Sequence, residues 1–340
     1  LVLAAVLGGC SASKLAAPNL PPETHLFVEF DPANAVPHTV PYEVKLSWLG
    51  LDPDGFVVAY DICFTDNPPP AATAWVRTSR TDSTIVVPTP NGSATPWFYV
   101  RAIDNDGAVD ASPDSQNFSF TNQRPTIRIT NKLGPVDTTY GSVTFNWAGV
   151  DPDGDASRLV TRVWLDGGEA NARFVSGASF TVPTIDFRQG LNYYSGSRRL
   201  YVQAIDPGGF ASAPDSMTWY VRRPCPDTTR ARGRVLLVDD VPVSLGAGNT
   251  VVDTLWWNGV LRNFPPEAIS ILRLDRTQPF RSTEDLRQTF EQFDNVIWYR
   301  GQINLTGVSA LLRDYQAGIR AYLDNGGTVL LEGFSLVDGL

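Results

Sequence analysis

A chain of 340 residues has room for two or three domains. Its 36 acidic side chains against 27 basic ones leave a net charge of −9, without the clustered Lys and Arg that phosphate backbones require, so nucleic acid is excluded as a partner. Only two histidines, His25 and His38, restrict general-base and transition-metal chemistry, while 28 glycines and 26 prolines suit turn-rich β structure.

The chain opens LVLAAVLGGCSAS, an apolar run over residues 1–7 too short to span a bilayer. Leu7-Gly8-Gly9-Cys10 and the polar Ser-Ala-Ser-Lys that follows resemble the lipobox of bacterial lipoproteins, in which the cysteine becomes lipidated and N-terminal after cleavage. The resemblance implies a signal-peptide remnant over residues 1–9 and, over 10–21, a lipidated Cys10 with its linker. It also implies a lipid bilayer as partner of Cys10, export to the bacterial cell envelope and, from Ser11, retention at the outer membrane.

Residues 22–124 read VKLSWLGLDPDG, VVAYDICF, STIVVPT, WFYVRAIDNDGAVDASPDS and FSF. Residues 125–223 repeat the scheme with VTFNWAGVDPDG, LVTRVWL, SFTVPTI, LYVQAIDPGGFASAPDS and TWYV. Short runs rich in Val, Ile, Phe, Tyr and Thr, bounded by Gly, Pro, Asp or Asn, are strands joined by turns. Trp48 and Trp147 are core residues, each followed by a DPDG turn in which Pro fixes φ and Gly accepts φ > 0. Cys63 alternates with Tyr60, Ile62 and Phe64 and so lies on the opposite strand face.

This pattern resembles fibronectin type III and related immunoglobulin-like modules. Trp48 and Trp147 match the end of the second strand, Tyr60 and Trp164 the third. Val100-Arg101-Ala102-Ile103-Asp104 and Val202-Gln203-Ala204-Ile205-Asp206 match the sixth. The resemblance implies two all-β immunoglobulin-like sandwiches, each of about 100 residues. Pro96 and Arg198 stand where the family carries a tyrosine, so the tyrosine corner is expected to be absent.

Asp52 and Asp54 fall in one turn and Asp104 and Asp106 in another at the same sandwich end; Asp151, Asp153, Asp155 and Asp206 form the second set. Hard oxygen ligands converging from two loops suit Ca²⁺, the one cofactor this chain suggests, which would stiffen the module junction. The alternative is that each Asp builds its own turn through local hydrogen bonds. The second of these turns has one acid fewer in the second module, since DNDG becomes DPGG.

Residues 224–232, including Cys225, form a polar linker. From 233 to 340 the chain alternates RVLLVDD, a helix over 250–263, ISILRLD, a charged helix over 282–292, NVIWYRG, a second amphipathic helix and TVLLEGF. Continuous apolar strands between helices predict an α/β, doubly wound parallel sheet covered on both faces, incomplete at four strands. Leu311, Leu312, Tyr315, Ile319, Tyr322 and Leu323 are the expected buried stripe of the last helix, and Asn325-Gly326-Gly327 its end.

Ligands of open α/β sheets gather at the carboxyl ends of the strands. The crevice candidates there are Asp239, Asp240, Asp275, Arg300, Gly301, Glu332 and Ser335, each of which could equally be a polar cap on a strand end. FDNVIWYRG and IRAYLDNGGTVLLEG are similar to class I glutamine amidotransferase-like domains of flavodoxin-like fold. At the elbow, Gly333-Phe334-Ser335-Leu336-Val337, Ser335 replaces the nucleophilic Cys and Val337 the second glycine, and no His occurs in the segment. The same departure removes a serine-hydrolase elbow, leaving Ser335 a weak nucleophile candidate. A response-regulator reading of VLLVDD fails because Tyr299-Arg300-Gly301 ends the third strand where a phosphorylated Asp is required.

The expectation is therefore a surface-anchored protein that binds or scaffolds a protein or glycan ligand, with a non-catalytic α/β domain. One alternative is a displayed hydrolase or amidotransferase-like enzyme whose residues lie partly beyond Leu340; another is a calcium-stiffened adhesin stalk. Trp97, Trp164 and Trp219 are either exposed platforms for a glycan or core.

Overall fold

The computed structural model describes residues 18–28, 39–133, 138–189, 192–224, 232–239, 259, 261–265, 268–273, 280–300 and 310–333. Cys10, Cys225, Asp240, Asp275, Gly301 and Ser335 lie outside the described residues, as do most of the helix expected over 250–263 and the side chains of Arg300, Leu311 and Leu312. The chain divides into two compact units, Leu1–Gln123 with Gly208–Phe210, and Arg124–Pro207 with Ala211–Leu340.

The first unit is a sandwich of strands β1 (Glu23–Val28), β2 (Glu43–Leu51), β3 (Val57–Thr65), β4 (Val76–Thr78), β5 (Asp82–Val86), β6 (Trp97–Asp104) and β7 (Asp114–Asn117). One antiparallel sheet runs β1-β2-β5 and the other β4-β3-β6-β7. Period-2 alternation decides which side chains meet between them: Phe98, Val100 and Ala102 of β6 are fully buried, and Trp97, Tyr99 and Arg101 point the other way. Trp48 fills the space between the sheets with Tyr60, Phe98 and Val100, and its indole N–H donates to the Arg80 carbonyl at 2.8 Å. The ring contributes its apolar bulk and leaves no buried donor unmade. Gly50, two residues on, is a packing requirement, because a Cβ there would come within 2.8 Å of the Ala102 Cβ.

The second unit repeats the sandwich with β8 (Thr126–Ile129), β9 (Thr138–Thr139), β10 (Val143–Val150), β11 (Val160–Leu165), β12 (Arg173–Val175), β13 (Ser179–Val182), β14 (Gly196–Ile205) and β15 (Asp215–Val221). Its sheets are β8-β10-β13 and β9-β15-β14-β11-β12. Phe145, Trp147, Val163, Phe187, Leu200, Val202 and Trp219 form the core. Trp219 is therefore core, at 3% exposure.

The same unit carries a four-stranded sheet of β16 (Gly233–Asp239), β17 (Ile269–Arg273), β18 (Phe293–Arg300) and β19 (Thr328–Gly333), all parallel in the order β17-β16-β18-β19. Helices α1 (Thr283–Phe290) and α2 (Ala310–Asp324) follow β17 and β18. Both pack on one face, where Leu236, Val238 and Trp298 meet Leu286, Phe290, Ile319 and Tyr322. On the other face Leu237, Ile269, Ile297 and Tyr299 gather around Leu261.

Tyr315, Ile319 and Tyr322 form the buried stripe of α2, but Leu323 does not join it: it is 46% exposed. At 100° per residue it stands one position round the helix from Tyr322, past the edge of the stripe. Gly326, at φ +82°, ends the helix, with the Gly326 and Gly327 amides returning to the Leu323 and Tyr322 carbonyls. Among the described residues no helix is long and apolar enough to cross a membrane.

The second sandwich supplies part of the α/β core. Tyr140 is buried against Phe293, and its hydroxyl donates to the Ile271 carbonyl at 3.0 Å. Thr144, facing outward from β10, shares a 2.7 Å hydroxyl contact with Ser282 and donates to the buried carboxylate of Asp285. Ser282 caps α1 by accepting from the Asp285 amide at 3.0 Å, while Asp285 accepts from the Arg281 amide at 2.9 Å. This is a capping-box exchange displaced by one residue, and it is closed by a hydroxyl from a different layer.

Candidate functional site

The loop acids of the first sandwich converge at one end, as the strand order requires, and most of their bonding serves the turns. Asp104 accepts from the Asp106 and Ala108 amides at 2.9 and 2.8 Å through one oxygen and from the Asn19 side chain at 2.7 Å through the other. Burial pushes its carboxyl up, and the bonds from Asn19, Ala108 and Asp106 outweigh that and hold it below the ordinary carboxylate range. Asp54 accepts from the Leu20 amide at 3.1 Å and donates its own amide to Asp52 at 3.4 Å. Burial, then the neighbouring charges of Asp54 and Asp104, push Asp52 upward.

In the second sandwich Asp155 accepts from the Ser157 amide at 2.8 Å, capping a short 3₁₀ turn, and Asp151 accepts from the Asp153 amide at 3.4 Å. Asp151 and Asp206 are both buried. Among the described residues no group of three or more His, Cys, Asp or Glu side chains is arranged to hold a metal ion.

A second pair of acids, which the sequence reading did not single out, ties strands together. Asp114 accepts from the Leu26 amide at 2.8 Å, and Asp215 from the Ile129 amide at 2.8 Å. Each also accepts from the amide of the serine after it. Their shared signal was the Pro-Asp-Ser that occurs once in each module.

The sheet faces turned away from the two cores carry matched groups. In the first sandwich Trp97 stacks on Tyr99 at 6.0 Å between centroids, Tyr99 meets Trp75 edge-on, and the Arg101 guanidinium lies 4.1 Å above the Trp75 ring. Arg101 and Arg77 both bind the buried Asp61, at 3.1 and 2.9 Å. Burial raises the Asp61 carboxyl, and the two guanidinium bonds overcome it and hold the group low. Cys63 shares this face, buried and free, its thiol pushed up by burial.

In the second sandwich Trp164 lies parallel to Tyr201 at 5.2 Å and 6°, with Arg162 over Trp164 and Arg199 over Tyr201. Phe174 and Tyr220 stand at the flanks, 70% and 45% exposed. Trp97 and Trp164 thus belong to the outer faces, and Trp164 is covered there by its neighbours.

At the carboxyl end of the parallel sheet, register brings Arg273, Asp239, Tyr299 and Glu332 into one row across all four strands. Paired residues in a parallel ladder share a face. Asp239 and Arg273 stand 3.7 Å apart as an ion pair, and burial pushes Glu332 up. Two crevice candidates, Asp239 and Glu332, therefore stand in one row with Tyr299 between them. Arg273 and Tyr299 were missed, because their place in the row depends on a register that no single strand displays.

No protein-family model matches the chain, and no curated protein matches its sequence. Among solved structures it is similar to the fibronectin(III)-like modules of Clostridium thermocellum CbhA, at 14% identity over 58% of this chain and 95% of that one, TM-score 0.25. A tetra-tandem repeat from the extending region of a large adhesion protein matches at 16% identity over 59% of this chain and 49% of that one, TM-score 0.25. A 1.5-MDa bacterial ice-binding adhesin matches at 13% identity over 64% and 69%, TM-score 0.24.

Proposed function

We propose that the chain is an exported, lipid-anchored cell-envelope protein that binds or scaffolds a protein or glycan partner through its β-sandwich modules. The observation that carries this reading is the pair of outward clusters, Trp75–Tyr99–Trp97–Arg101 and Arg162–Trp164–Tyr201–Arg199. Aromatic rings and arginines turned away from a core give a rigid, amphipathic contact surface with little side-chain entropy left to lose. The anchor rests on the lipobox resemblance of Leu7-Gly8-Gly9-Cys10, and outer-membrane retention on Ser11. A flavodoxin-like or amidotransferase-like type for the last region is supported by its strand order, which in chain order is 2-1-3-4.

The test has two arms in the producing cell. Cys10→Ser should move the protein from the membrane fraction to the soluble one and end incorporation of labelled fatty acid. Trp75→Ala with Trp97→Ala should lower retention of partner without lowering the melting temperature. Unchanged fractionation sinks the anchor; unchanged retention sinks the binding face.

The row Arg273–Asp239–Tyr299–Glu332 favours a second reading, a hydrolase or amidotransferase-like enzyme displayed on the sandwiches. Turnover of glutamine or a simple ester that is lost in Asp239→Asn would select it.

A further inference from the structure

The two sandwiches share a turn and differ in what they place on it. WLGLDPDGFVV in the first module becomes WAGVDPDGDAS in the second. Leu49, Leu51, Phe56 and Val58 thus stand where the copy has Ala148, Val150, Asp155 and Ser157. Leu20, two residues before Pro22, is matched by Gln123 before Pro125. The copy folds with smaller or polar groups at these positions, so the turn itself does not require the apolar ones.

These side chains collect at one end of the first sandwich. Leu20, Leu51, Phe56 and Val58 are 49, 55, 65 and 48% exposed. Leu51 closes β2 and Val58 stands at the start of β3, with Phe56 pinned in the turn between them. The Phe56 amide donates to the Asn105 side chain at 2.9 Å, and its carbonyl accepts from the Asn105 amide at 3.0 Å. Leu20 is fixed on the same turn by its amide, which donates to Asp54 at 3.1 Å. Leu49 extends the patch along the outer face of β2. Contiguous exposed apolar surface that the fold does not need marks a contact site.

The chain enters the sandwich at this end, since Glu23 at the start of β1 pairs with Leu51. Residues 11–17 separate Cys10 from Pro18. A fully extended chain covers at most about 3.6 Å per residue, so the tip stands within about 30 Å of Cys10.

We propose that this apolar tip rests in the surface of the bilayer that holds Cys10, with Leu20, Leu51 and Phe56 among the lipid headgroups. The inference rests on the lipobox reading of Cys10. Membrane attachment is stable when two signals act together, an acyl anchor and a surface contact. Asp54 and Asp106, exposed on the same two turns, select the headgroup: they suit the ammonium of zwitterionic lipids and are repelled by anionic ones.

The experiment is photo-cross-linking in envelopes of the producing cell, with benzoylphenylalanine placed at Phe56 of the full chain and, separately, at Phe27. Phe27 is exposed on the same sandwich but lies four residues beyond Glu23 along β1, about 13 Å from the tip. A phospholipase-sensitive lipid adduct at position 56, and none at position 27, is the expected result. An adduct at position 56 to another protein or to a second copy, or equal lipid adducts at both positions, would overturn the proposal. Incorporation of labelled fatty acid separates the two readings. A labelled chain without a lipid adduct at position 56 overturns the tip contact alone; an unlabelled chain removes the anchor and the tip contact with it.

In a second arm the lipidated full chain is reconstituted into vesicles of phosphatidylcholine, or of phosphatidylcholine and phosphatidylglycerol in equal parts. The adduct yield at position 56 should be lower in the anionic vesicles. An equal or higher yield there would overturn the choice of headgroup.

Discussion

The carboxylate of Asp114 holds the backbone amide of Leu26 at 2.8 Å, although the two residues stand 88 positions apart in the chain. Asp215 holds the Ile129 amide at the same distance across 86 residues. Each bond ties the first strand of its sandwich to a strand near the end of the module, β7 in the first and β15 in the second, and satisfies an amide of that first strand. A hydrogen bond to a charged group is worth about 1.5–3 kcal/mol. Asp114→Ala should therefore lower the stability of the first unit by that amount in a denaturant titration, and Asp215→Ala that of the second. A loss below about 0.5 kcal/mol in both would assign the tie to packing alone.

Thr144 is expected to matter out of proportion to its size. It donates to Asp285, whose burial pushes the carboxyl up even though bonds from Thr144, Arg281 and Ser282 oppose this. Thr144→Val keeps the shape and removes the donor, at a cost of about 1–3 kcal/mol. Unfolding of the second unit followed by tryptophan fluorescence measures it. A neutral result would mean that water or Ser282 replaces the hydroxyl.

The two directions of carboxyl shift give opposite pH dependences. Asp61, Asp104 and Asp215 are held low, so their contribution is full above the ordinary Asp value of about 3.9 and is lost as pH falls through their folded values. Asp285 is raised, so its contribution is full below that value and fades as pH rises through its folded value. The second unit should accordingly lose some stability on going from pH 4 upward, and Asp285→Asn should remove that slope while leaving the acid limb of Asp215. Denaturation midpoints at stepped pH decide the matter; a wild-type midpoint flat above pH 4 contradicts it.

Asp52 offers a test of what the loop acids are for. Asp54 and Asp104 add like charge beside it, so Asp52→Asn should leave the melting temperature of the first unit unchanged or slightly raised in chelator. If added Ca²⁺ raises the melt of the parent chain and not of Asp52→Asn, the convergence of these loops is a cation site.

Much of this arrangement was legible in the chain, and the illegible parts share a cause. Trp48 and Trp147 could be placed in sandwich cores because each is a large apolar side chain on a strand that ends in a turn. The parallel strands could be found because RVLLVDD and NVIWYRG are apolar throughout. Leu323 was misplaced because the stripe of α2 is narrower than its run of apolar residues.

The outer clusters were ambiguous because aromatic residues serve cores and surfaces alike: Trp219 went to the core, and Trp97 and Trp164 to the outer faces. Tyr140 in the α/β core, Asp114 on Leu26, and the row through Arg273 and Tyr299 all depend on partners far away in sequence. No local pattern encodes such partners. Arg198 was visible as a departure from the tyrosine of the family, but its direction, shared with Leu200 and Val202, appears only once β14 is paired.

The central claim is that the outward aromatic–arginine faces contact a partner and do not hold the fold. The most direct measurement is retention of the full chain on isolated envelopes of the producing cell, with the parent compared against Trp75→Ala/Trp97→Ala and Phe174→Ala/Arg199→Ala. Saturable retention that falls about tenfold in at least one double variant, at an unchanged melting temperature, is the expected result. Equal retention by all three proteins, or a loss of retention that only follows a loss of folding, would contradict it.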